Sequence, residues 1–166
     1  SEKEEAILRA ASEKVPVVFA SNMSLGVNLL FALVEQVARS LDDSFDIEIL
    51  DFHHKYKVDA PSGTALTLGE AAAMGRGIEF MTSATLSREG VVGARRKGDI
   101  GFSALRGGAV VGEHAVIFAS TGERLELHHK ASDRSIYAAG AVTAGLWVRD
   151  KSPGMYSMKD VLGIKS

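Results

Sequence analysis

The sequence predicts an α/β (α+β) fold, a mixed sheet with helices on one face. In the first half of the chain, apolar runs typical of strands alternate with segments of helical periodicity, which is the β-α-β order of open α/β folds. In the second half, from Ile100 onward, strand-like segments follow one another with glycine-containing turns between them. The two halves together favour a sheet with both parallel and antiparallel strands.

The first half predicts three helices and two strands. Apolar residues at helical spacing predict helices over 1–14, 24–41 and 65–74. The run VPVVFA at 15–20 is typical of a short strand buried on both faces of a parallel sheet, and a second strand is expected over 46–52. These segments supply the β-α-β part of the fold.

Three further strands are predicted over 100–106, 110–120 and 123–130, where β-branched and aromatic residues are frequent. Gly107-Gly108 and Thr121-Gly122 separate them and suit tight hairpin connections. We therefore expect these consecutive strands to form an antiparallel meander. One face of such a sheet would need a cover, which favours an oligomer.

The last long helix is predicted over 132–150, with Ser132 or Asp133 as its N-cap. Pro153-Gly154 ends it, and a short turn follows over 158–162. Apolar residues at helical spacing form its expected buried face: Ile136, Ala139, Val142 and Leu146.

Composition and charge exclude several classes of protein. With 166 residues, of which 46% are hydrophobic, the chain can bury a sizeable core. Its net charge of −2 gives no basic footprint for nucleic acid, and no run of about 18 apolar residues predicts a membrane span. The absence of cysteine excludes a disulfide framework and thiolate chemistry, and it suits a cytoplasmic protein.

The candidate site is the segment Asp51–Ala65, DFHHKYKVDAPSGTA, where a predicted strand ends and a predicted helix begins. Loops at the carboxyl ends of strands commonly carry ligand sites in open α/β folds. Histidine and lysine, which can transfer protons near neutral pH, both occur here. The Ser-Gly-Thr turn places N–H groups at a helix start, where carboxylate or phosphate binds readily. The loop therefore suits a site that holds an anion and gives it a proton.

Each of these features also has a purely structural interpretation. Ser62 or Thr64 can simply cap the helix. His53 and His54 can be surface or core residues, and as neighbours on a strand they would point to opposite sides. Adjacent histidines lack the i,i+4 helical spacing of zinc ligands and no cysteine is present, so no metal site is predicted. What favours function is the concentration of these residue types within one loop.

The run from His53 to Ala65, HHKYKVDAPSGTA, resembles the signature HHxxKxDAPSGTA of the dihydrodipicolinate reductases, also called 4-hydroxy-tetrahydrodipicolinate reductases. The resemblance covers essentially the whole chain. Further matching segments are NMSLGVN at 22–28, GDIGF at 98–102, GEH at 112–114, GER at 122–124, HKAS at 129–132 and Arg134.

The resemblance implies specific roles for residues of the loop. His53, the first histidine of the pair, would serve as a proton donor or acceptor, and Lys57 would donate a proton. His54, Gly63 and Thr64 would bind the substrate, a ring with two carboxylates. A helix start suits such a dianion because its N–H groups carry partial positive charge.

The resemblance also implies an oxidoreductase reaction. NADPH or NADH would deliver hydride to 4-hydroxy-tetrahydrodipicolinate after loss of its hydroxyl, giving tetrahydrodipicolinate in the diaminopimelate pathway of lysine biosynthesis. The nicotinamide end of the cofactor would lie against Ala20, Ser21, Asn22 and Met23. These reductases are homotetramers joined through the sheet, so we expect a homotetramer and neither a nucleic acid nor a membrane as partner.

The chain departs from the family pattern at its start. It begins with a helical segment and no GxGxxG turn follows a predicted strand, so roughly the family's N-terminal cofactor-binding half has no counterpart here. Residues 1–24 and 135–166 are then expected to be the remnant of a truncated Rossmann-type domain, and 25–134 the substrate-binding and oligomerisation domain. Two functions stay open: the reductase, and a catalytically inactive fragment that only oligomerises or binds a ligand.

Residues outside the loop carry simpler predictions. His114 and His129 lie in predicted strands and are expected to be structural. Trp147 is expected in the core. The run Arg95-Arg96-Lys97 is expected to be a solvated loop, with a specific anion site as the alternative.

Overall fold

The computed structural model describes residues 2–164. None of the helices in this range is long and apolar enough to cross a membrane. In chain order the elements are α1 (Glu2–Ser12), β1 (Pro16–Val18), α2 (Leu25–Ser40), β2 (Asp46–His53), α3 (Gly63–Arg76), α4 (Phe80–Ser83), β3 (Ala84–Thr85), β4 (Ile100–Arg106), β5 (Gly112–Ala119), β6 (Arg124–Ala131), α5 (Ser135–Val148), β7 (Gly154–Tyr156) and α6 (Met158–Val161).

The chain divides into two compact units. One comprises the described residues up to Leu29 and from Arg134 onward, and the other comprises Leu30–Asp133. The second unit contains the candidate loop.

A five-stranded mixed sheet forms the frame of the Leu30–Asp133 unit. Its strand order is β3-β4-β2-β5-β6. Strand β2 is parallel to β4 and antiparallel to β5, while β4 is parallel to β3 and β5 is antiparallel to β6. The mixed sheet predicted from the sequence is thus confirmed, and β2 lies at its centre.

The predicted meander of three consecutive strands is wrong for β4. Strand β2 lies between β4 and β5, so only β5 and β6 form the expected hairpin. The connection after β4 passes around the end of β2: Gly107 donates to the carbonyl of His53 (3.0 Å), and His54 donates to the carbonyl of Val110 (2.8 Å). These hydrogen bonds satisfy both edges at the end of β2, which a direct β4–β5 hairpin would leave unpaired.

The apolar core of this unit lies on one face of the sheet, and α3 contacts β2 and β4 there. Close packing of α2 on α3 depends on Gly75, because a Cβ at this position would lie 2.3 Å from the carbonyl oxygen of Glu35. The helices therefore cover the inner face, as predicted. Buried residues in register on the three central strands are Ile47, Ile49, Ile100, Phe102, Val116 and Phe118.

Helix α3 has a cap at each end. Ser62 is its N-cap, and the Ser62 side chain accepts a hydrogen bond from the N–H of Ala65 (3.1 Å). Gly77 ends the helix in the left-handed conformation, with φ of 64°. Of the two N-caps that the sequence allowed, the structure uses Ser62.

The other unit contains a pair of short parallel strands, β1 and β7, with Pro16 opposite Gly154. All three residues of β1 are half-buried, so the predicted strand buried on both faces is wrong. The reason is that β1 has β7 as its single partner among the described strands, and a two-stranded sheet leaves its residues partly uncovered.

Helix α5 buries a different face from the predicted one. Its buried residues are Gly140 and Ala144, whereas Val142 and Leu146 are 62% and 63% exposed. The cause is a close approach of two backbones: a Cβ on Gly140 would lie 1.8 Å from the carbonyl oxygen of Met23. Two small residues, Gly140 and Ala144, rather than the large apolar ones, therefore face the rest of this unit.

Both ends of α5 also differ from expectation. Its N-cap is Arg134, which makes no side-chain cap hydrogen bond, so the predicted caps Ser132 and Asp133 are wrong. Near the other end, Trp147 is half-buried rather than in the core. Its ring meets the Tyr156 ring edge-on, with 5.3 Å between centroids.

Candidate active site

The candidate site is built where β2 ends and α3 begins. His53 is the last residue of β2, and Ser62 caps α3. Side chains alternate along a strand, so Asp51 and His53 point to the same inner face. Both are buried, with 1% and 8% exposure.

Asp51 connects the strand, the helix and a neighbouring strand. Its Oδ2 accepts hydrogen bonds from the backbone N–H of Ser62 (2.7 Å) and from Nη2 of Arg106 (3.1 Å). Its Oδ1 lies 2.7 Å from Nδ1 of His53. Arg106 also donates to the carbonyl of Asp59 (2.6 Å), so one guanidinium ties β4 to both ends of the loop.

The surroundings keep Asp51 ionised and His53 neutral. Burial raises the pKa of Asp51, but the Ser62 N–H and the Arg106 guanidinium outweigh it and hold that pKa below its ordinary value. Burial lowers the pKa of His53, and the positive charges of Lys57 and Arg106 lower it further, against the opposing attraction of Asp51. A neutral imidazole beside a carboxylate can take up and release a proton.

His114 belongs to the same cluster, and its expected structural role stays a prediction. Its Nε2 lies 3.2 Å from Oγ of Ser62 and 3.5 Å from Oδ1 of Asp51. Its ring meets that of His53 edge-on, with 5.1 Å between centroids. Burial lowers the pKa of His114 to about 4, so this second imidazole is neutral at physiological pH.

The sequence contains a signal that points to His114. It belongs to the GEH segment at 112–114 that resembles the family pattern. The sequence alone does not show that His114 reaches the site, because this depends on the register of β2 and β5, in which His114 lies opposite Asp51. His129 stands opposite His114 on β6, and burial lowers its pKa as well.

Lys57 and His54 lie in the loop beyond β2. Nζ of Lys57 is 2.8 Å from Oδ1 of Asp59, and the Lys57 side chain is 21% exposed. His54 is half-buried, and its ring lies 6.5 Å from that of Tyr56 between centroids. Burial is the main cause of the lowered pKa of His53, and the Lys57 charge lowers that pKa further, so these two candidate proton-transfer groups interact electrostatically.

Gly63 and Thr64 are the first two residues of α3. A Cβ on Gly63 would meet no atom within 4 Å, so the space in front of the helix start is open. An open helix start that presents backbone N–H groups is a suitable place for a carboxylate.

The four residues predicted to face the cofactor, Ala20–Met23, lie in the other unit, just before α2. Oδ1 of Asn22 accepts from the N–H of Ser24 (2.8 Å), and Nδ2 of Asn28 donates to the Asn22 carbonyl (2.7 Å). These bonds fix the turn that leads into the helix, and Ser21 is exposed beside it.

Asp51, His53 and His114 place one potential metal ligand each within 4.8 Å of one another. The 2.7 Å between Nδ1 of His53 and Oδ1 of Asp51 is a hydrogen-bond distance. Two ligands of a tetrahedral zinc ion lie about 3.3 Å apart when their bonds are about 2.0 Å long. The contact between these two residues therefore suits a shared proton better than an ion.

A cavity of about 560 Å³ lies at the other end of β2, beside Asp46. The run Arg95-Arg96-Lys97 lies in a loop, and Arg96 and Lys97 are exposed as expected. Arg95 differs, because it is half-buried and makes contacts of 2.9 Å with both Asp46 and Glu48 on the sheet. Lys97 pairs with Asp43 at 2.8 Å. Opposite charges thus balance along the cavity, and none of the predicted site residues lines it.

Comparison with known proteins identifies the family. The model of the family described as "Dihydrodipicolinate reductase, C-terminus" matches residues 26–162. The chain belongs to this family. The match includes the whole Asp51–Ala65 loop and confirms the resemblance found in the sequence.

Curated relatives of this chain carry the reductase name. A 4-hydroxy-tetrahydrodipicolinate reductase from Rhodopseudomonas palustris (strain BisA53) is 61% identical over 164 residues, covering 99% of this chain and 60% of that protein. The 4-hydroxy-tetrahydrodipicolinate reductase 1 of Mesorhizobium japonicum (strain LMG 29417 / CECT 9101 / MAFF 303099) is 61% identical over 165 residues, again covering 99% and 60%. The chain thus spans about three-fifths of the length of these relatives.

A solved structure has the same fold. It is described as dipicolinate-bound dihydrodipicolinate reductase from Paenisporosarcina sp. TG-14, and it matches with a TM-score of 0.72 over 95% of this chain and 59% of that chain. The sequence identity is 20%, so the likeness concerns the fold. The predicted α/β fold class is confirmed.

Proposed function

We propose that this chain is the substrate-binding and assembly part of a 4-hydroxy-tetrahydrodipicolinate reductase in the cytoplasmic pathway to diaminopimelate and lysine. The observation that carries the proposal is the placement of neutral His53, held against ionised Asp51, beside the open start of α3. That arrangement brings a proton-transfer group to a site for carboxylates.

Each residue of the loop has a role in this proposal. His53 accepts or donates a proton at its ring, and Lys57 donates a proton to the reduced ring. Gly63 and Thr64 hold a substrate carboxylate at the start of α3, and His54 contacts the same substrate. Burial lowers the pKa of His53 most and the positive charge of Lys57 lowers it further, which supports a shared task.

A nicotinamide cofactor, NADPH or NADH, would supply the hydride. Residues 20–23 would take its nicotinamide end, and the exposed Ser21 beside a turn fixed by Asn22 and Asn28 suits that task. In this proposal, 1–24 and 135–166 belong to the cofactor-binding domain, and 25–134 forms the substrate-binding and oligomerisation domain.

Assembly would use the outer face of the sheet. Leu105 is 46% exposed there, and on the same face Leu50, Phe52 and Ile117 are half-buried. Since apolar residues on a sheet face favour burial, we propose a homotetramer joined through this face.

The alternative is a catalytically inactive fragment that oligomerises or binds a ligand. The two functions differ in turnover: we expect this chain alone to catalyse little or no NADPH-dependent reduction, because it contains no phosphate-binding GxGxxG turn. Substrate binding can therefore be tested separately from hydride transfer.

Calorimetric titration with pyridine-2,6-dicarboxylate, a planar dianion, tests the binding part of the proposal. We expect binding by the wild-type chain that weakens about tenfold or more in Lys57→Ala, which removes the ammonium group, and in Thr64→Ala, which removes the hydroxyl donor, since a charge-assisted hydrogen bond contributes about 1.5–3 kcal/mol. Lys55→Ala is the matched control, because it removes a positive charge from the same loop at an exposed residue. Equal losses in Lys55→Ala and Lys57→Ala would contradict a specific site at Lys57.

A further inference from the structure

We propose that Asp51 is a positioning residue that fixes the tautomer of His53, with the proton on Nδ1 and Nε2 left as the proton-accepting atom. The catalytic meaning of this inference rests on the proposed role of His53. The inference about the tautomer itself concerns two side chains and can be tested without turnover.

The first argument is the pairing of two buried atoms. Oδ1 of Asp51 and Nδ1 of His53 lie 2.7 Å apart. Among the described residues neither atom makes a hydrogen bond to any other group, and Nε2 of His114 is farther from Oδ1, at 3.5 Å. A buried polar atom without a partner costs about 1–3 kcal/mol, so each of these atoms has the other as its available partner.

The second argument concerns which of these two atoms carries the proton. Asp51 is held ionised, since the Ser62 N–H and the Arg106 guanidinium both donate to its Oδ2. An ionised carboxylate can only accept. A neutral imidazole beside it must therefore donate from the near nitrogen, which is Nδ1, and the ring's one remaining lone pair is on Nε2.

The third argument concerns the space at the far side of the ring. Nε2 of His53 faces Gly112 at the start of β5, where an added Cβ would lie 3.0 Å from that nitrogen. Glycine at this position leaves the accepting nitrogen uncovered by a side chain. The ring thus meets Asp51 at Nδ1, and its Nε2 lies where residue 112 carries no side chain.

Asp51→Asn changes this arrangement in a defined way. The two donors at the present Oδ2, from Ser62 and Arg106, both require an acceptor, so they select the amide oxygen for that position. The amide NH2 then faces Nδ1 of His53. Because an NH2 group donates, Nδ1 must become the acceptor and the ring proton must move to Nε2. The same Asp-to-Asn change in serine proteases leaves the geometry intact and lowers turnover about 10⁴-fold through the wrong tautomer.

The experiment is ¹⁵N–¹H correlation spectroscopy of the imidazole rings in the complete chain at neutral pH, with His53→Gln used to assign the His53 signals. Glu48→Gln is the matched control. Glu48 is on the same strand and also pairs with two arginines, Arg88 and Arg95, but it contacts no histidine. We expect His53 to carry its proton on Nδ1 in the wild-type chain and in Glu48→Gln, and mainly on Nε2 in Asp51→Asn.

Two results would overturn the inference. One is a wild-type His53 with its proton on Nε2, a result that does not depend on whether Asp51→Asn folds. The other is a folded Asp51→Asn chain whose His53 keeps the Nδ1 proton. If the wild-type chain did not bind pyridine-2,6-dicarboxylate, that result would instead contradict the proposed function. Failure of the tautomer inference and failure of the proposed function are therefore distinguishable.

Discussion

Asp51 and His114 are both almost fully buried, yet the protein keeps one charged and the other neutral. The difference follows from their partners: Asp51 receives hydrogen bonds from Ser62 and Arg106, whereas His114 faces the Ser62 hydroxyl and the His53 ring. At the residue scale, the charge state of each buried group in the site therefore depends on whether charged or N–H donors lie beside it.

The neutral state of His114 has a consequence for stability. Its pKa falls from 6.5 to about 4 in the folded protein, mainly because burial disfavours the charged ring. The unfolded chain therefore binds a proton at His114 in a pH range where the folded chain does not. This contribution to the free energy of unfolding is complete above about pH 6.5 and is lost as the pH falls towards about 4.

We predict that His114→Gln reduces the pH dependence of stability. The free energy of unfolding of the wild-type chain, measured with urea, should fall by about 2 kcal/mol between pH 7 and pH 5 because of this residue. The free energy of unfolding of the variant should fall correspondingly less. His128→Gln, which removes a histidine with a side chain 45% exposed, is the control and should follow the wild type. An unchanged pH dependence in His114→Gln would contradict a buried neutral His114.

That His53 and Lys57 lie in one loop could be predicted from the sequence, because they belong to one contiguous run. The involvement of His114 could not, since it is more than fifty residues away and reaches Asp51 only through the β2–β5 register. Arg106 was missed for the same reason: it reaches Asp51 from β4, in a register that hydrophobic patterns do not specify.

At the scale of elements, glycines set how closely the helices pack. Gly75 brings α3 against the backbone of α2, whereas a Cβ added to Gly145 in α5 would meet no atom within 4 Å. Replacing glycine with alanine should therefore lower the stability of the protein at position 75 but not at position 145.

We predict that Gly75→Ala destabilises the protein by about 2–3 kcal/mol, because the new Cβ would meet the backbone of Glu35, which cannot move aside as a side chain can. Gly145→Ala is the control, and it should be neutral or stabilising by about 0.5–1 kcal/mol, since alanine favours a helix interior over glycine. Urea unfolding followed by circular dichroism measures both. A Gly75→Ala chain as stable as the wild type would contradict the close helix packing.

The elements themselves could largely be predicted, because apolar periodicity gave β2, α2, α3 and the β5–β6 hairpin within a few residues of their observed bounds. The position of β4 could not. Gly107-Gly108 looks like a hairpin turn, and only the hydrogen bonds around the end of β2 distinguish it from one. The buried face of α5 was also missed, since a close backbone contact at Gly140 outweighs the larger apolar side chains.

At the scale of the whole molecule, the outer face of the sheet carries the proposal of a homotetramer. We predict that Leu105→Glu lowers the oligomeric state seen in analytical ultracentrifugation towards the 17.6 kDa of one chain, because a charge would be buried in the interface. Val142→Glu is the control, with a residue 62% exposed on α5 rather than on the sheet. Loss of assembly in Val142→Glu with none in Leu105→Glu would contradict an interface on the sheet.

The most direct test of the central claim, a dianion site on the Asp51–Ala65 loop, is to follow the amide signals of the chain by NMR during titration with pyridine-2,6-dicarboxylate. We predict shifts concentrated at Gly63, Thr64 and the loop before them, with the signals around Arg95 and Asp46 unchanged. Shifts concentrated at the charged cavity by Asp46, with none at the start of α3, would contradict the account.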